Sequence, residues 1–177
     1  MTVDEIAAPS DPGPDASTAP YRWPATVAAT VLGVTVLHLA ALIGNRGPVL
    51  YSDALGYFGN ARYLAGGAPP TFDGSFSYSA GYSILLVPFY WITEQSNVIW
   101  TMAVALNIGL AVLIMVPAYV LARRMFALNQ YQALMVSVAV SLTPALLLQP
   151  GRGWVETLFP VVFLAATVVV FEREDLT

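Results

Sequence analysis

At 177 residues the chain has room for one domain, but 57 % of it is hydrophobic and only 10 % is charged, against about 25 % charged in an average soluble protein. The apolar residues fall in long unbroken runs, which excludes an ordinary water-soluble globule. There is no cysteine, His38 is the one histidine, and all seven basic residues are arginine, so disulfide scaffolds, zinc ribbons, thiol nucleophiles, multi-histidine metal sites, Walker phosphate loops and Schiff-base chemistry are excluded as well.

The net charge of −4 is concentrated at the ends. Asp4, Glu5, Asp11 and Asp15 open the chain and Glu172, Glu174 and Asp175 close it, while Asp53, Asp73, Glu94 and Glu156 are the acids between. No basic stripe of the kind nucleic acid needs is present. Residues 1–22, rich in Pro, Asp, Ala and Ser, cannot bury enough surface to offset chain entropy and read as a disordered cytoplasmic tail. They also lack the short basic lead-in of a secretory signal. Trp23 to Ile43 is then long enough to cross a hydrocarbon core of about 30 Å as a first span.

Residues 44–96 read as an extracytoplasmic loop carrying short amphipathic helices at the membrane surface. In the stretch from Tyr51 to Gly67, Leu55, Phe58, Ala61 or Arg62, and Leu64 or Ala65 recur at helical spacing. Ser52 or Asp53 can cap the front of that helix and Gly66-Gly67 can stop it. The segment Tyr82 to Thr93, interrupted by Pro88, is too short to cross and is expected to lie along the surface. Three further runs have spanning length: 97–122, 131–149 and 154–171, the last followed by a short cytoplasmic end at 172–177. The fold class is thus an all-α membrane protein with four transmembrane helices. Four spans with the N-terminus inside put Arg22, Arg123, Arg124 and Arg173 in the cytoplasm, as the positive-inside tendency prefers. Trp23, Trp100, Trp154, Tyr119 and Tyr131 fall at span ends, where amphipathic rings favour the headgroup level. Pro117 and Pro144 are expected to kink their helices, and Asn107 and Thr143 to hydrogen-bond between helices.

The candidate chemistry gathers on the outer face. Asp53 reads either as a helix cap or as a carboxylate kept ionised by the helix N-terminus and able to accept a proton. Gln149-Pro150-Gly151-Arg152-Gly153-Trp154-Val155-Glu156 forms a tight turn that brings Glu156 to the start of the fourth span. Arg152 can pair with Glu156 or with a lipid phosphate at headgroup depth, and Arg62 is a second candidate for that phosphate. From Tyr51 to Trp91 there are eleven of the chain's aromatic rings. Most serve as anchors, while Tyr57, Tyr78 and Tyr82 are candidates for contact with a sugar or a lipid chain.

The order of these parts resembles the N-terminal portion of the GT-C superfamily of membrane glycosyltransferases, on the branch of protein O-mannosyltransferases and the lipid A aminoarabinose transferase. The residues that carry the resemblance are Asp53-x-x-x-Tyr57-x-x-x-Ala61-x-x-Leu64-x-x-Gly67, the run Tyr78 to Phe89, Ala122-Arg123-Arg124-Met125-Phe126, and the turn into Glu156. The resemblance implies a partial GT-C fold and a polyprenyl-phosphate-linked sugar donor, with transfer on the extracytoplasmic face. It puts Asp53 in the place of the first-loop catalytic acid, Glu156 beside it, and between them any divalent metal the reaction uses. It also implies a second subunit or a C-terminal half supplying the remaining spans. The competing reading from a different class is a non-catalytic multi-span protein that binds lipid or a partner subunit.

Overall fold

The computed structural model describes residues 23–43, 52–69, 80–152 and 155–174. Among these the chain is helical, with no strand. The predicted tail over 1–22, and Tyr78 of the outer loop, lie outside the described residues.

Helix α1 (Trp23–Ala41) turns Val34 and His38 inward and leaves Val31, Leu32, Val36, Leu37 and Leu39 on its outside. A helix apolar on every face is at home in hydrocarbon and not in water. Helices α4 (Ser96–Leu113) and α5 (Met115–Met125) follow one another as a thirty-residue apolar rod. The rod is interrupted at Ile114 because Pro117 has no N–H to give and its ring crowds the carbonyl one turn back. By length and composition, α1 and this rod are two helices able to cross a membrane. The third and fourth expected spans take a more broken form. The run over 131–149 is divided into α6 (Gln130–Ser141) and α7 (Pro144–Leu148), with Pro144 opening the second piece. The fourth is α8 (Leu158–Glu174), reached through 3-10 turns at Pro150–Arg152 and Val155–Thr157.

One end of the bundle is marked by aromatic rings and arginines. Trp23 meets Tyr131 edge-on at 5.4 Å and Tyr119 at 6.4 Å, so the start of α1, the middle of α5 and the start of α6 lie side by side. Arg123 donates to the Leu128 carbonyl at 2.9 Å in the connection between α5 and α6. Asn129 closes that connection as a capping box, accepting from the Tyr131 and Gln132 amides while Gln132 accepts from its own. Above this end α5 and α6 pack closely. Ala118 and Ala122 face Ala133, Ser137 and Ser141, all buried and all four residues apart on their own helix. This small-xxx-small spacing lets two backbones approach without large side chains between them. Higher still, the Ser141 hydroxyl donates to the Ala111 carbonyl at 2.6 Å, and His38 Nε2 lies 3.3 Å from Ser141 Oγ. These two contacts tie α1, α4 and α6 together.

At the other end sit α2 (Ser52–Leu64) and α3 (Ala80–Ile92), packed against each other. The predicted helix is present in α2, and so is its stop. Gly66 adopts φ +94°, Gly67 N–H donates to the Arg62 carbonyl at 2.9 Å and Gly66 N–H to that of Tyr63 at 3.0 Å, a Schellman ending. Its buried face is shifted by about one residue from the predicted one. Ala54, Tyr57 and Ala61 are inside, whereas Leu55 and Leu64 are 39 % and 51 % exposed. Small residues win the inner face because α3 lies close upon it. The thirteen residues of α3 reach only about 20 Å, short of a hydrocarbon core of about 30 Å. Its direction is nevertheless set by α4. Tyr82 and Asn107 stand at nearly equal distances from the turn at residues 93–95 and are hydrogen-bonded, so α3 folds back along the first half of α4.

Candidate functional site

The site lies where α2, α3, α4 and the turns before α8 meet. The Tyr57 ring meets the Tyr82 ring edge-on at 5.6 Å. Tyr82 is fully buried, and its hydroxyl donates to Asn107 Oδ1 at 3.0 Å. Ala103, Leu86 and Ala61 close the apolar surroundings of the two rings, and Leu158 of α8 packs on the same cluster. Burial pushes the Tyr82 phenol well above its ordinary value, and the negative charge of Glu156 adds to the effect. Tyr82 therefore stays a neutral hydrogen-bond donor at any ordinary pH.

Glu156 itself is exposed, in the 3-10 turn ahead of α8, and it stands at the polar end of a groove of about 740 Å³. Most of that groove is apolar. Ile114, Val140, Leu146, Phe159 and Phe163 line it, with Gln149 and Thr143 as its other polar residues. From Glu156 to Phe163 is seven residues, so the trough descends about 10 Å from the acid along the bundle. Its wall includes Ile114, where the α4–α5 rod is interrupted, and Thr143 and Ala145, which flank Pro144.

A second cavity, of about 640 Å³, lies at the far end of α2 and is lined by Arg62, Tyr90, Glu94, Ser96 and the Gly66-Gly67 pair. Gly67 is required there, since a Cβ would fall 2.8 Å from Arg62 Cγ and 2.9 Å from the Arg62 carbonyl oxygen. The Tyr90 phenol is pushed up to about 12 by burial, with the Arg62 guanidinium working against the rise. Because the folded value exceeds the unfolded one, the stability owed to the neutral phenol is complete below about pH 10 and drains away as pH climbs toward 12. An alkaline spectroscopic titration of wild type minus Tyr90→Phe is expected to show one phenol ionising near pH 12. A difference titrating near the ordinary tyrosine value would remove the buried assignment.

The residues singled out from sequence are distributed accordingly. Tyr57, Tyr82 and Glu156 come together. Asp53 stands in the first turn of α2, one helical turn before Tyr57, and Arg152 closes the first 3-10 turn, two segments that both border the site; the side chains of these two residues lie outside the described ones. Arg62 lines the second cavity and does not line the Glu156 groove. Asn107 makes the interhelical bond expected of it, whereas Thr143, between α6 and α7, donates locally to the Val140 carbonyl near the end of α6 at 3.0 Å. His38 faces the bundle interior, fully buried. Sequence reasoning gave no role to Gln149 or Thr157, and read Tyr90 as a headgroup anchor, whereas it lines the second cavity. The available signal was a polar residue standing beside an otherwise apolar run. Among the described residues no three acidic or histidine side chains cluster as metal ligands.

No family model matches the chain, and no curated protein or solved structure matches it either. Over the described residues, the class that fold and site define is an all-helical protein with two helices long and apolar enough to cross a membrane and a mostly apolar groove with Glu156 on its wall.

Proposed function

We propose that the chain is the N-terminal portion of a GT-C-like membrane glycosyltransferase, lying in the bilayer with four spans and its N-terminus in the cytoplasm. The observation that carries the reading is the apolar groove headed by Glu156, beside the buried Tyr82–Asn107 pair. A lipid-linked sugar has this division of character: a hydrocarbon chain that needs an apolar trough, and a polar head that needs acids and hydrogen-bond donors at the rim. The end marked by Trp23, Tyr119, Tyr131 and Arg123 supplies the aromatic and positive features of a cytoplasmic boundary. The opposite end, with Glu156, is then the extracytoplasmic rim.

In the proposed reaction an acceptor hydroxyl oxygen attacks the anomeric carbon of the donor. The bond from that carbon to the phosphate oxygen breaks, polyprenyl phosphate leaves, and the acceptor proton passes to the Asp53 carboxylate. Glu156 orients the sugar. Arg152 is the cation assigned to the carrier phosphate.

The test uses the intact protein in proteoliposomes with a polyprenyl-phosphate-linked hexose. Binding of the lipid and release of polyprenyl phosphate are the expected results, and a reporter fused after Phe126 is expected on the cytoplasmic side. Tight binding with no release over long incubation would favour the non-catalytic lipid-binding reading. A reporter exposed outside would separate Glu156 from the outer rim and sink the arrangement.

A further inference from the structure

The cavity at the end of α2 carries two opposite charges that the proposed transfer does not use. Arg62 and Glu94 both line it, together with Tyr90 and Ser96. Among the described residues no ion pair joins the two charges. The Arg62 stem is confined by the glycine turn that ends α2, since its Cγ lies 2.8 Å from where a Gly67 Cβ would stand. Its guanidinium is close enough for its charge to act on the Tyr90 phenol. At about 640 Å³ the cavity has the size of a small-ligand site. Its depth follows from the rod. Ser96 opens α4 and Arg123 stands near the end of α5, about 40 Å away along the rod, close to the thickness of a bilayer with its headgroups. With Arg123 at one boundary, the cavity falls at the headgroup level of the other. Trp91 and Ile92, which follow Tyr90, are each 70 % exposed, large apolar side chains of the kind that meet lipid at that level.

The two charges select the guest. A guanidinium offers only donors and a carboxylate only acceptors. A guest that meets both must carry an acceptor at one end and a donor at the other. A plain anion suits Arg62 but is repelled by Glu94, a plain cation does the reverse, and a neutral hydroxylated guest brings a charge to neither. The guanidinium fork matches a phosphate, and the Tyr90 and Ser96 hydroxyls can donate to its other oxygens. A primary ammonium brings Glu94 three N–H donors, which a quaternary ammonium lacks. We infer that this cavity binds the headgroup of a phospholipid bearing a phosphate and a primary ammonium, as phosphatidylethanolamine does, with Arg62 on the phosphate and Glu94 on the ammonium. The site is separate from the Glu156 groove. It rests on the membrane placement in the proposed function and not on the transfer reaction.

Intact protein is reconstituted in nanodiscs holding equal parts of phosphatidylethanolamine, phosphatidylcholine and phosphatidylglycerol, and the lipid it retains is read by native mass spectrometry. The wild type is expected to retain phosphatidylethanolamine at least about fivefold over each of the others, and Arg62→Gln to lose that retention by a similar factor. Glu94→Gln is expected to keep the phosphate contact and lose the choice, holding phosphatidylethanolamine and phosphatidylglycerol within about twofold of each other. Both side chains are exposed, so neither change disturbs the core. Free phosphoethanolamine carries the same two charges without acyl chains. It is expected to displace the retained lipid only in large excess, and displacement at equal concentration would reassign the cavity to a soluble guest. No preference in the wild type, or a preference that both charge variants keep, would overturn the site. A protein that releases polyprenyl phosphate without lipid preference loses this site alone, whereas one that selects phosphatidylethanolamine without transferring sugar keeps the site and loses the transferase reading.

Discussion

Asp53→Asn is expected to slow sugar transfer by at least about 100-fold while leaving donor binding within a few-fold of wild type, since a positioned general base contributes roughly 10²–10⁴ in rate. The change is conservative where structure is concerned. Asp53 lies in the first turn of α2, and Asn is as good a helix-starting residue as Asp. It removes only the carboxylate that the proposed reaction uses to take up the acceptor proton. Glu156→Gln should act differently. It relieves the charge beside Tyr82 and weakens orientation of the sugar, giving a loss of about tenfold in transfer. If the two acids serve one reaction, the double variant falls well short of the product of the single effects. Single-turnover release of polyprenyl phosphate, measured with donor saturating, separates rate from binding. Turnover of Asp53→Asn within threefold of wild type would take the proton-accepting role away from this residue.

The parts of this arrangement that sequence made legible are those written in local pattern. The unbroken apolar runs named α1 and the α4–α5 rod, Pro117 and Pro144 marked the interruptions, and Gly66-Gly67 marked the end of α2. Long-range contacts were not legible. Nothing local to Tyr82–Thr93 says that α3 turns back along α4, because the Tyr82–Asn107 bond that fixes its course joins residues 25 apart. The inner face of α2 was misjudged for a related reason. Periodicity weighs Leu55 and Leu64 as core, but a neighbouring helix at close range prefers Ala54 and Ala61. Arg62 shows how sequence proximity misleads. Nine residues from Asp53 on the same helix, it is about 14 Å further along the axis, and the helix delivers it to a different cavity.

Ser137→Leu is expected to be among the most destabilising single changes, roughly 3 kcal/mol, because it forces a branched side chain into a seam built for small ones. Ser137 is fully buried between Ala133 and Ser141 on the face of α6 that meets Ala118 and Ala122 of α5. Its hydroxyl donates to the Leu134 carbonyl of its own helix at 2.7 Å. With its hydroxyl spent inside α6, the residue is present for its size, and Ser137→Ala should cost less than about 1 kcal/mol. Met135→Leu, on the same helix but 73 % exposed, should be neutral and controls for helix propensity. Thermal unfolding in detergent ranks the three variants. The consequence reaches the groove, since α6 carries Val140 on its wall and Ser141 in the bonded contact with His38 and Ala111. Splaying α5 from α6 should therefore weaken binding of bare polyprenyl phosphate along with stability. A Ser137→Leu protein that melts with the wild type and keeps that lipid would show that the close approach of these two helices does not hold the groove in shape.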